Sequence, residues 1–311
     1  MQNEINPLVM TNRKVTAKRT DVLLLNIFGY TFVTIIALAC LLPFLLVLSS
    51  SLTEEHSILT EGYRLIPKVW SLEAYRMIFQ MPEKIINAYS VTILVTGVGT
   101  ILSLFLMSMT AYVLQRKDFQ WRNHFSFYFF FTTLFGGGLV PFYILLNNYF
   151  HMQNTIVVQI LPMAMNVFYI IVLKAFIRSG IPTEITESAK IDGAGDFLIY
   201  LRLILPLSKP ALASVGLLTA LAYWNDWYLP LLFISEEKLV PMQYYLYKTL
   251  ANFRELQNAM VGSGQAINTT DVPVESMKMA MTIIAAGPII IAYPFIQRFF
   301  IQGMTIGAVK G

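Results

Sequence analysis

The sequence has few of the residues on which disulfide frameworks, metal centres and water-soluble surfaces depend. It contains one cysteine, Cys40, and three histidines far apart along the chain, His56, His124 and His151. A single cysteine cannot form a disulfide within the chain, and the histidine spacing builds no local zinc cluster. Charged residues make up only 13% of the chain, well below the proportion usual in soluble domains. These shortages argue against a water-soluble fold.

Motifs of the common enzyme classes are also missing. The chain has no Walker A phosphate loop, no GxSxG nucleophile elbow, no HExxH motif and no paired-carboxylate site. The net charge of +4 is dispersed between apolar runs without a long basic block, so a nucleic-acid partner is not expected. We therefore expect no catalytic residue, no metal site and no cofactor bound by this chain.

Long apolar runs are what the sequence has in excess, with 56% hydrophobic residues. A bilayer core about 30 Å thick requires a helix of about 20 mostly apolar residues. The stretch from Val22 to Ser49 carries no charge, and the uncharged stretch from Asn123 to Leu173 is long enough for two spans joined near Asn147. The sequence predicts an all-α integral membrane protein with six spans, at residues 22–49, 87–114, 125–146, 155–177, 210–234 and 279–297.

The distribution of basic residues predicts the orientation of these spans. The N-terminal tail is polar and basic, and the apolar run after it is too long for a signal-peptide core and lacks a convincing cleavage site. Because basic residues favour the cytoplasmic side, both termini are expected in the cytoplasm. The predicted parts are a cytoplasmic tail at 1–21, a transmembrane domain at 22–301 with outside loops at 50–86 and 235–278 and a cytoplasmic segment at 178–209, and a second cytoplasmic tail at 302–311.

Asp226 is the one formal charge well inside a predicted span. An Asp at the bilayer centre costs about 2.5 to 3.5 kcal/mol, so its carboxylate should face a cavity, a partner subunit or the end of the span. Aromatic rings beside amide and carboxylate groups suit a sugar, whose C–H face packs on rings while its hydroxyls need hydrogen-bond partners. Alternatives are an interfacial aromatic belt, or a secondary transporter in which Asp226 binds a proton or ion. The candidate substrate-path residues are Tyr223, Trp224, Asn225, Asp226 and Tyr228.

The segment 178–209 has the pattern of a helix-turn-helix. Pro182 favours a helix start, and Thr183 is placed to cap it. The pair Asp192-Gly193 favours a turn, after which Asp196 is placed to cap a second helix. Such a unit suits docking to another protein, and an interfacial amphipathic helix is the alternative.

Three glycines in a row, Gly136 to Gly138, interrupt the third predicted span. They either break the helix, since each glycine costs about 1 kcal/mol there, or let a neighbouring helix approach closely. We expect close packing slightly more than a break.

Three short runs in the 178–209 segment resemble the EAA signature of bacterial ATP-binding-cassette importer permeases: Glu187-Ser188-Ala189, Asp192-Gly193-Ala194 and Ile204-Leu205-Pro206. Their spacing is that of the family, with Ser188 in place of the usual alanine. Trp224-Asn225-Asp226 resembles the fifth-span motif of carbohydrate-uptake permeases, and the C-terminal GMTIGAVKG resembles the tail of the maltose-type smaller permease. The resemblance is strongest to the oligosaccharide or polysaccharide permeases of lipoprotein-dependent Gram-positive systems.

This resemblance implies a type I importer permease in a bacterial plasma membrane. The chain would pair with a second, related permease and translocate oligosaccharides delivered by an extracellular solute-binding lipoprotein. Two ATPase subunits would use ATP and magnesium on the cytoplasmic side, so the chain itself would not be an enzyme. An importer of another polar solute, such as a glycerol-phosphate-type compound, is the alternative.

The same resemblance assigns roles to individual residues. Residues 184–206 would carry a coupling helix that fits a cleft on one ATPase, and Gly193 would allow close backbone approach. The coupling residues would be Glu187, Ser188, Ala189, Asp192, Gly193, Ala194 and Pro206. The tail would reach the ATPase interface through Gly303, Gly307, Lys310 and Gly311. The 235–278 loop would meet the binding protein.

Overall fold

The computed structural model describes residues 19–80, 82–262 and 273–308. These residues form fifteen α-helices, and the strand pairing found among them is one isolated bridge between Thr53 and Trp70. Three helices contain a stretch long and apolar enough to cross a bilayer: α1 (Arg19–Ser51), α4 (Pro82–Gln115) and α15 (Val274–Ala308). The mostly helical membrane fold expected from the sequence is confirmed for this part of the chain.

Three further candidate spans are bent helix pairs. The first joins α5 (Arg122–Leu134) at 115° to α6 (Leu139–Ile144), which continues as a π-helical turn over Leu145–Tyr149. The second joins α7 (Ile156–Ile160) and a 3-10 turn (Leu161–Met163) at 51° to α8 (Val167–Gly180). The third begins with α10 (Asp196–Ile199), a π-helical turn (Tyr200–Ile204) and α11 (Leu205–Leu207), and joins α12 (Lys209–Trp224) at 81°. Counting each pair as one span, the described helices supply up to six.

Five helices connect these candidate spans: α2 (Glu55–Glu61), α3 (Glu73–Ile78), α9 (Thr183–Ile191), α13 (Tyr228–Phe233) and α14 (Met242–Gly262). Three of them, α2, α3 and α14, lie in the segments that hydropathy predicts as outside loops. These helices are more polar than the spans, so a search for long apolar runs passes over them. The predicted outside loop at 235–278 includes residues 263–272, which lie outside the described residues.

The glycine run is a break in the third span. Helix α5 ends at Leu134 and α6 begins at Leu139, and Gly138 has a φ of +87° that residues with a Cβ rarely adopt. A Cβ built on Gly136 or Gly137 would meet no atom of the described chain within 4 Å. The expectation of close helix packing at these glycines is therefore wrong for contacts within this chain, because the run ends a helix instead of lining an interface.

The largest core cluster is formed by α4, α8, α12 and the segment around α10. Met107 of α4 and Leu173 of α8 are completely buried in it. A hydroxyl pair adds a polar link, since Ser108 Oγ and Tyr200 Oη lie 2.8 Å apart. This cluster fixes the segment that follows α8 against the end of α4, and so positions the helices described next.

At the opposite end of the molecule, a carboxylate from α2 caps the start of α15. The buried Glu55 side chain accepts hydrogen bonds from the backbone N–H groups of Glu275 (2.8 Å) and Ser276 (2.9 Å), and from the Ser276 hydroxyl (2.9 Å). The Tyr63 hydroxyl also donates to Glu275 Oε2, at 2.9 Å. Partial burial and the neighbouring Glu275 carboxylate raise the pKa of Tyr63 to about 12. These bonds tie the segment between α1 and α4 to the last long helix.

Candidate functional site

Helix α9 and the turn after it form the centre of the EAA-like segment. Pro182 precedes the helix, and Thr183 is its first residue and provides no side-chain cap. Asp196 likewise begins α10 after Gly195, without a capping hydrogen bond from its side chain. The predicted caps at Thr183 and Asp196 are therefore wrong, although the two helices and the turn between them are present. The Asp196 carboxylate instead forms an ion pair with Arg116, in the loop between α4 and α5.

The turn between α9 and α10 is a Schellman motif. The N–H of Ala194 donates to the carbonyl of Ala189 at 2.9 Å, and the N–H of Gly193 donates to the carbonyl of Lys190 at 3.0 Å. Gly193 has a φ of +79°, the left-handed conformation that this motif requires at its penultimate position. A Cβ on Gly193 would meet nothing within 4 Å, so within this chain the glycine serves the backbone conformation and not a close contact.

A cluster of charges braces this turn against the loop between α4 and α5. Arg116 Nη1 lies 2.7 Å from Asp196 Oδ1, and Arg116 Nε donates to Asp118 Oδ1 at 2.9 Å. Lys190 Nζ reaches the other oxygen of Asp118 at 2.8 Å. Hydrogen bonds from Arg116 and then Lys190 hold the pKa of Asp118 well below its usual range. Arg116 thus bridges the carboxylate of Asp118, in the α4–α5 loop, and that of Asp196, at the start of α10. This bridge holds the loop and the turn together.

This cluster could not be predicted from the sequence. Asp118 and Lys190 are 72 positions apart, and only folding brings them together. The one signal in the sequence was a concentration of charged residues directly after the second predicted span. It does not indicate which residues they pair with.

The predicted coupling residues divide into an inner and an outer set. Ala189 and Ala194 are half-buried and pack against the main core cluster. The outer set is exposed and comprises Glu187, Ser188, Asp192, Gly193 and Pro206. Ile191, which the sequence analysis did not single out, has 87% of its surface exposed at the last position of α9. This exposure leaves an apolar side chain at the tip of α9 available for contact with a partner.

Among the substrate-path candidates, Tyr223 is buried, and its contacts hold helices of the fold together. Its hydroxyl donates to the carbonyl of Ile160 at 2.8 Å and lies 3.0 Å from Ser103 Oγ. Its ring packs so closely on Gly99 that a Cβ there would lie 2.7 Å from a ring carbon. Tyr223 therefore joins α12 to α4 and α7.

The remaining candidates lie at a break between α12 and α13. Asp226 Oδ1 accepts hydrogen bonds from the backbone N–H groups of Tyr228 (3.0 Å) and Leu229 (3.3 Å), so the carboxylate caps α13. Asn225 and Tyr228 are exposed, and Trp224 is half-buried. This break interrupts the predicted fifth span at residues 225–227. It places several polar and aromatic side chains next to unwound backbone.

The predicted C-terminal contact residues are only partly described. Gly303 and Gly307 lie within α15, which runs to Ala308 beyond the predicted end of the sixth span. Lys310 and Gly311 lie outside the described residues. Among the described residues, no group of three or more His, Cys, Asp and Glu is placed to hold a metal ion.

Comparisons with known proteins agree with the resemblance seen in the EAA-like segment. Residues 124–306 match the model of the family described as binding-protein-dependent transport system inner membrane component. The chain is 36% identical over 290 residues to the polygalacturonan/rhamnogalacturonan transport system permease protein YtcP of Bacillus subtilis, covering 93% of this chain and 99% of that protein. It is 27% identical to the arabinooligosaccharides transport system permease protein AraQ of Halalkalibacterium halodurans, covering 91% and 95%.

A solved structure is also similar, a chain of a bacterial ABC transporter involved in the import of the acidic polysaccharide alginate. The TM-score is 0.76 at 27% sequence identity, and the match covers 91% of this chain and 99% of the other. The family match, the near-complete coverage of a relative above 30% identity and the shared fold all lead to one conclusion. The chain belongs to the inner-membrane components of binding-protein-dependent transport systems, and it is a multi-pass permease of the bacterial plasma membrane.

Proposed function

We propose that this permease forms a heterodimer with a second, related permease and imports oligosaccharides delivered by an extracellular solute-binding lipoprotein. Two ATPase subunits, which bind ATP and magnesium, dock on its cytoplasmic side. Both chain termini lie on that side, and hydrolysis takes place in the ATPases. The braced α9–α10 turn with its exposed outer face is the observation that carries this proposal.

A coupling element must be rigid to transmit force and exposed to receive it. The Arg116 cluster and the buried contacts of Ala189 and Ala194 hold the turn on the membrane domain. Ile191 projects from it, and burying an isoleucine in a partner cleft is worth about 1.5 to 3 kcal/mol. Movement of the ATPases would then carry α9 and α10 together, and with them the ends of α4 and α8.

The exposed Asn225 and Tyr228 and the half-buried Trp224 and Asp226 remain our candidates for the solute path. They lie at a helix break, and unwound backbone inside a membrane protein is tolerated where it is enclosed by protein or lines a cavity. The choice of an oligosaccharide is supported by the names of similar proteins, which are those of oligosaccharide and polysaccharide transport systems. Gly303, Gly307, Lys310 and Gly311 are proposed to contact an ATPase.

Two other functions are less well supported. A secondary transporter would use Asp226 to bind a proton or ion, but that carboxylate already accepts two backbone hydrogen bonds as a helix cap. An importer of another polar solute keeps the same architecture and differs only in the cargo. Uptake that persists without the ATPases and stops with an uncoupler would favour the secondary transporter.

The coupling assignment is tested with Ile191→Asp in the complex expressed with its partner permease and ATPase. We expect the ATPase recovered with the membrane subunits to fall about tenfold or more, because a charge replaces the apolar contact. Ile66→Asp is the matched control, since Ile66 is 78% exposed in the loop between α2 and α3 at the other end of the molecule. Equal ATPase recovery for the two variants would remove α9 from the docking surface.

A further inference from the structure

A cavity of about 590 Å³ opens beside the coupling segment, between the ends of α4, α5 and α8 and one face of α9. Six cationic side chains line it, against two carboxylates, those of Asp118 and Glu187. The cations come from α9 and from three separate span ends, so the fold gathers charges that are distant in sequence. They are Arg116, Lys117, Arg122, Lys174, Arg178 and Lys190.

Internal ion pairs account for only part of this positive charge. Arg116 and Lys190 are paired with Asp118 and Asp196. The other four cations have no carboxylate within 4 Å among the described residues. Lys174 Nζ donates to Ser126 Oγ at 2.9 Å and Arg122 donates to a backbone carbonyl, both neutral acceptors.

Two of the cations, Lys117 and Arg178, make no hydrogen bond to any described side chain or backbone group, and both are exposed. Four unneutralised cations around one cavity repel one another, and an anion between them removes that repulsion. Several donors converging from different elements also match the oxygens of a phosphate group.

The surroundings of the cavity favour a lipid as the source of that phosphate. Helix α5 begins at the cavity and presents an exposed aromatic face outward, including Phe127 and Phe131. Trp121, which precedes α5, is exposed and its ring lies 5.3 Å from that of His124. Trp and similar amphipathic rings sit at headgroup depth, and basic pockets between helices on the cytoplasmic side bind anionic headgroups.

We propose that this cavity binds the phosphate of an anionic phospholipid of the cytoplasmic leaflet. The bound headgroup joins the ends of α4 and α8 to α9, and so steadies the coupling helix. The proposal rests on the proposed function for the cytoplasmic position of α9, and it holds whatever solute is transported.

The test uses the complete transporter purified with its partner subunits and placed in lipid nanodiscs containing phosphatidylcholine with phosphatidylglycerol. Native mass spectrometry counts the phosphatidylglycerol that stays bound when the disc lipids are stripped. The variant is Lys117→Gln/Arg178→Gln, which breaks no side-chain hydrogen bond among the described residues. The charge-matched control is Arg202→Gln/Lys209→Gln, which removes two exposed cations outside the cavity.

We expect one retained phosphatidylglycerol per copy of this chain in the wild type and the control. The cavity variant should bind it about thirtyfold more weakly, the effect of removing two basic side chains from a charged lipid surface. Equal retention by variant and wild type would overturn the proposal.

Two further measurements test the other possible occupants of the cavity, a soluble anion and a protein partner. Inorganic phosphate is titrated into the complex held in pure phosphatidylcholine discs, and thermal unfolding is followed. Stabilisation by phosphate with no retained phosphatidylglycerol would assign the cavity to a soluble anion and overturn the lipid assignment. Loss of the ATPase subunits from the cavity variant, with lipid retention unchanged, would assign these cations to a protein contact and also overturn it.

Discussion

The conformation of Gly193 gives the most discriminating single prediction for the coupling segment. Its φ of +79° closes the Schellman turn between α9 and α10, and the space around it is open. For an alanine, the left-handed conformation costs about 1 to 2 kcal/mol, and asparagine tolerates it better because its short polar side chain bonds locally. Gly193→Ala should therefore reduce the population of the correct turn by a factor of about 5 to 30, and Gly193→Asn by less.

The assay is ATP hydrolysis by the complete transporter in proteoliposomes, stimulated by the loaded binding protein. We expect stimulation to rank wild type first, then Gly193→Asn, then Gly193→Ala, with each complex still assembling. Gly195→Ala is the matched control, because Gly195 has a φ of −70° that alanine adopts without strain and a Cβ there meets nothing within 4 Å.

The opposite ranking would refute this reasoning. If Gly193 is needed because an ATPase backbone approaches it closely, then the larger asparagine should be worse than alanine. Stimulation lower for Gly193→Asn than for Gly193→Ala would therefore show that contact with the partner, and not backbone conformation, is what requires a glycine.

Three other perturbations test the membrane domain. Gly99→Ala forces a Cβ against the Tyr223 ring and should destabilise the protein by about 1 to 3 kcal/mol in a thermal unfolding assay, whereas Gly97→Ala, in open space, should not. Glu55→Ala removes three hydrogen bonds at the start of α15 and should cost about 2 to 3 kcal/mol in the same assay, and an unchanged midpoint would contradict the capping role. Asp226→Asn keeps an acceptor oxygen for the two backbone N–H groups, so uptake should survive it, whereas an ion-coupled mechanism requires uptake to stop.

The sequence predicts best those features that depend on neighbouring residues. The uncharged run within α4 predicts a span because a bilayer rejects charge over its whole thickness. The Asp192-Gly193 pair predicts a turn because glycine accepts a positive φ at little cost. Both depend on local chemistry alone.

Features that depend on distant partners could not be predicted in the same way. Glu55 caps a helix that begins more than 200 positions later, and Asp196 pairs with Arg116 instead of capping its own helix. Both outcomes are decided by which elements the fold brings together. Helix α14 escaped detection because its polar composition resembles that of a loop.

The glycine run shows a similar limit. Glycines in an apolar stretch are consistent with a break and with close packing, and the two differ only in what lies alongside. The positive φ of Gly138 and the open space at Gly136 show that the run is a break in the helix. That break bends the third candidate span by 115°, which no count of apolar residues could indicate.

The central claim is that this permease works with separate ATPases through the α9–α10 turn, and one measurement tests it most directly. The chain is purified in mild detergent from cells that express its genomic neighbours, and ATP hydrolysis is measured with and without loaded binding protein. The account predicts recovery of a second permease and an ATPase, with hydrolysis raised by the loaded binding protein. Recovery of this chain alone, as a homo-oligomer without ATPase activity, would contradict it.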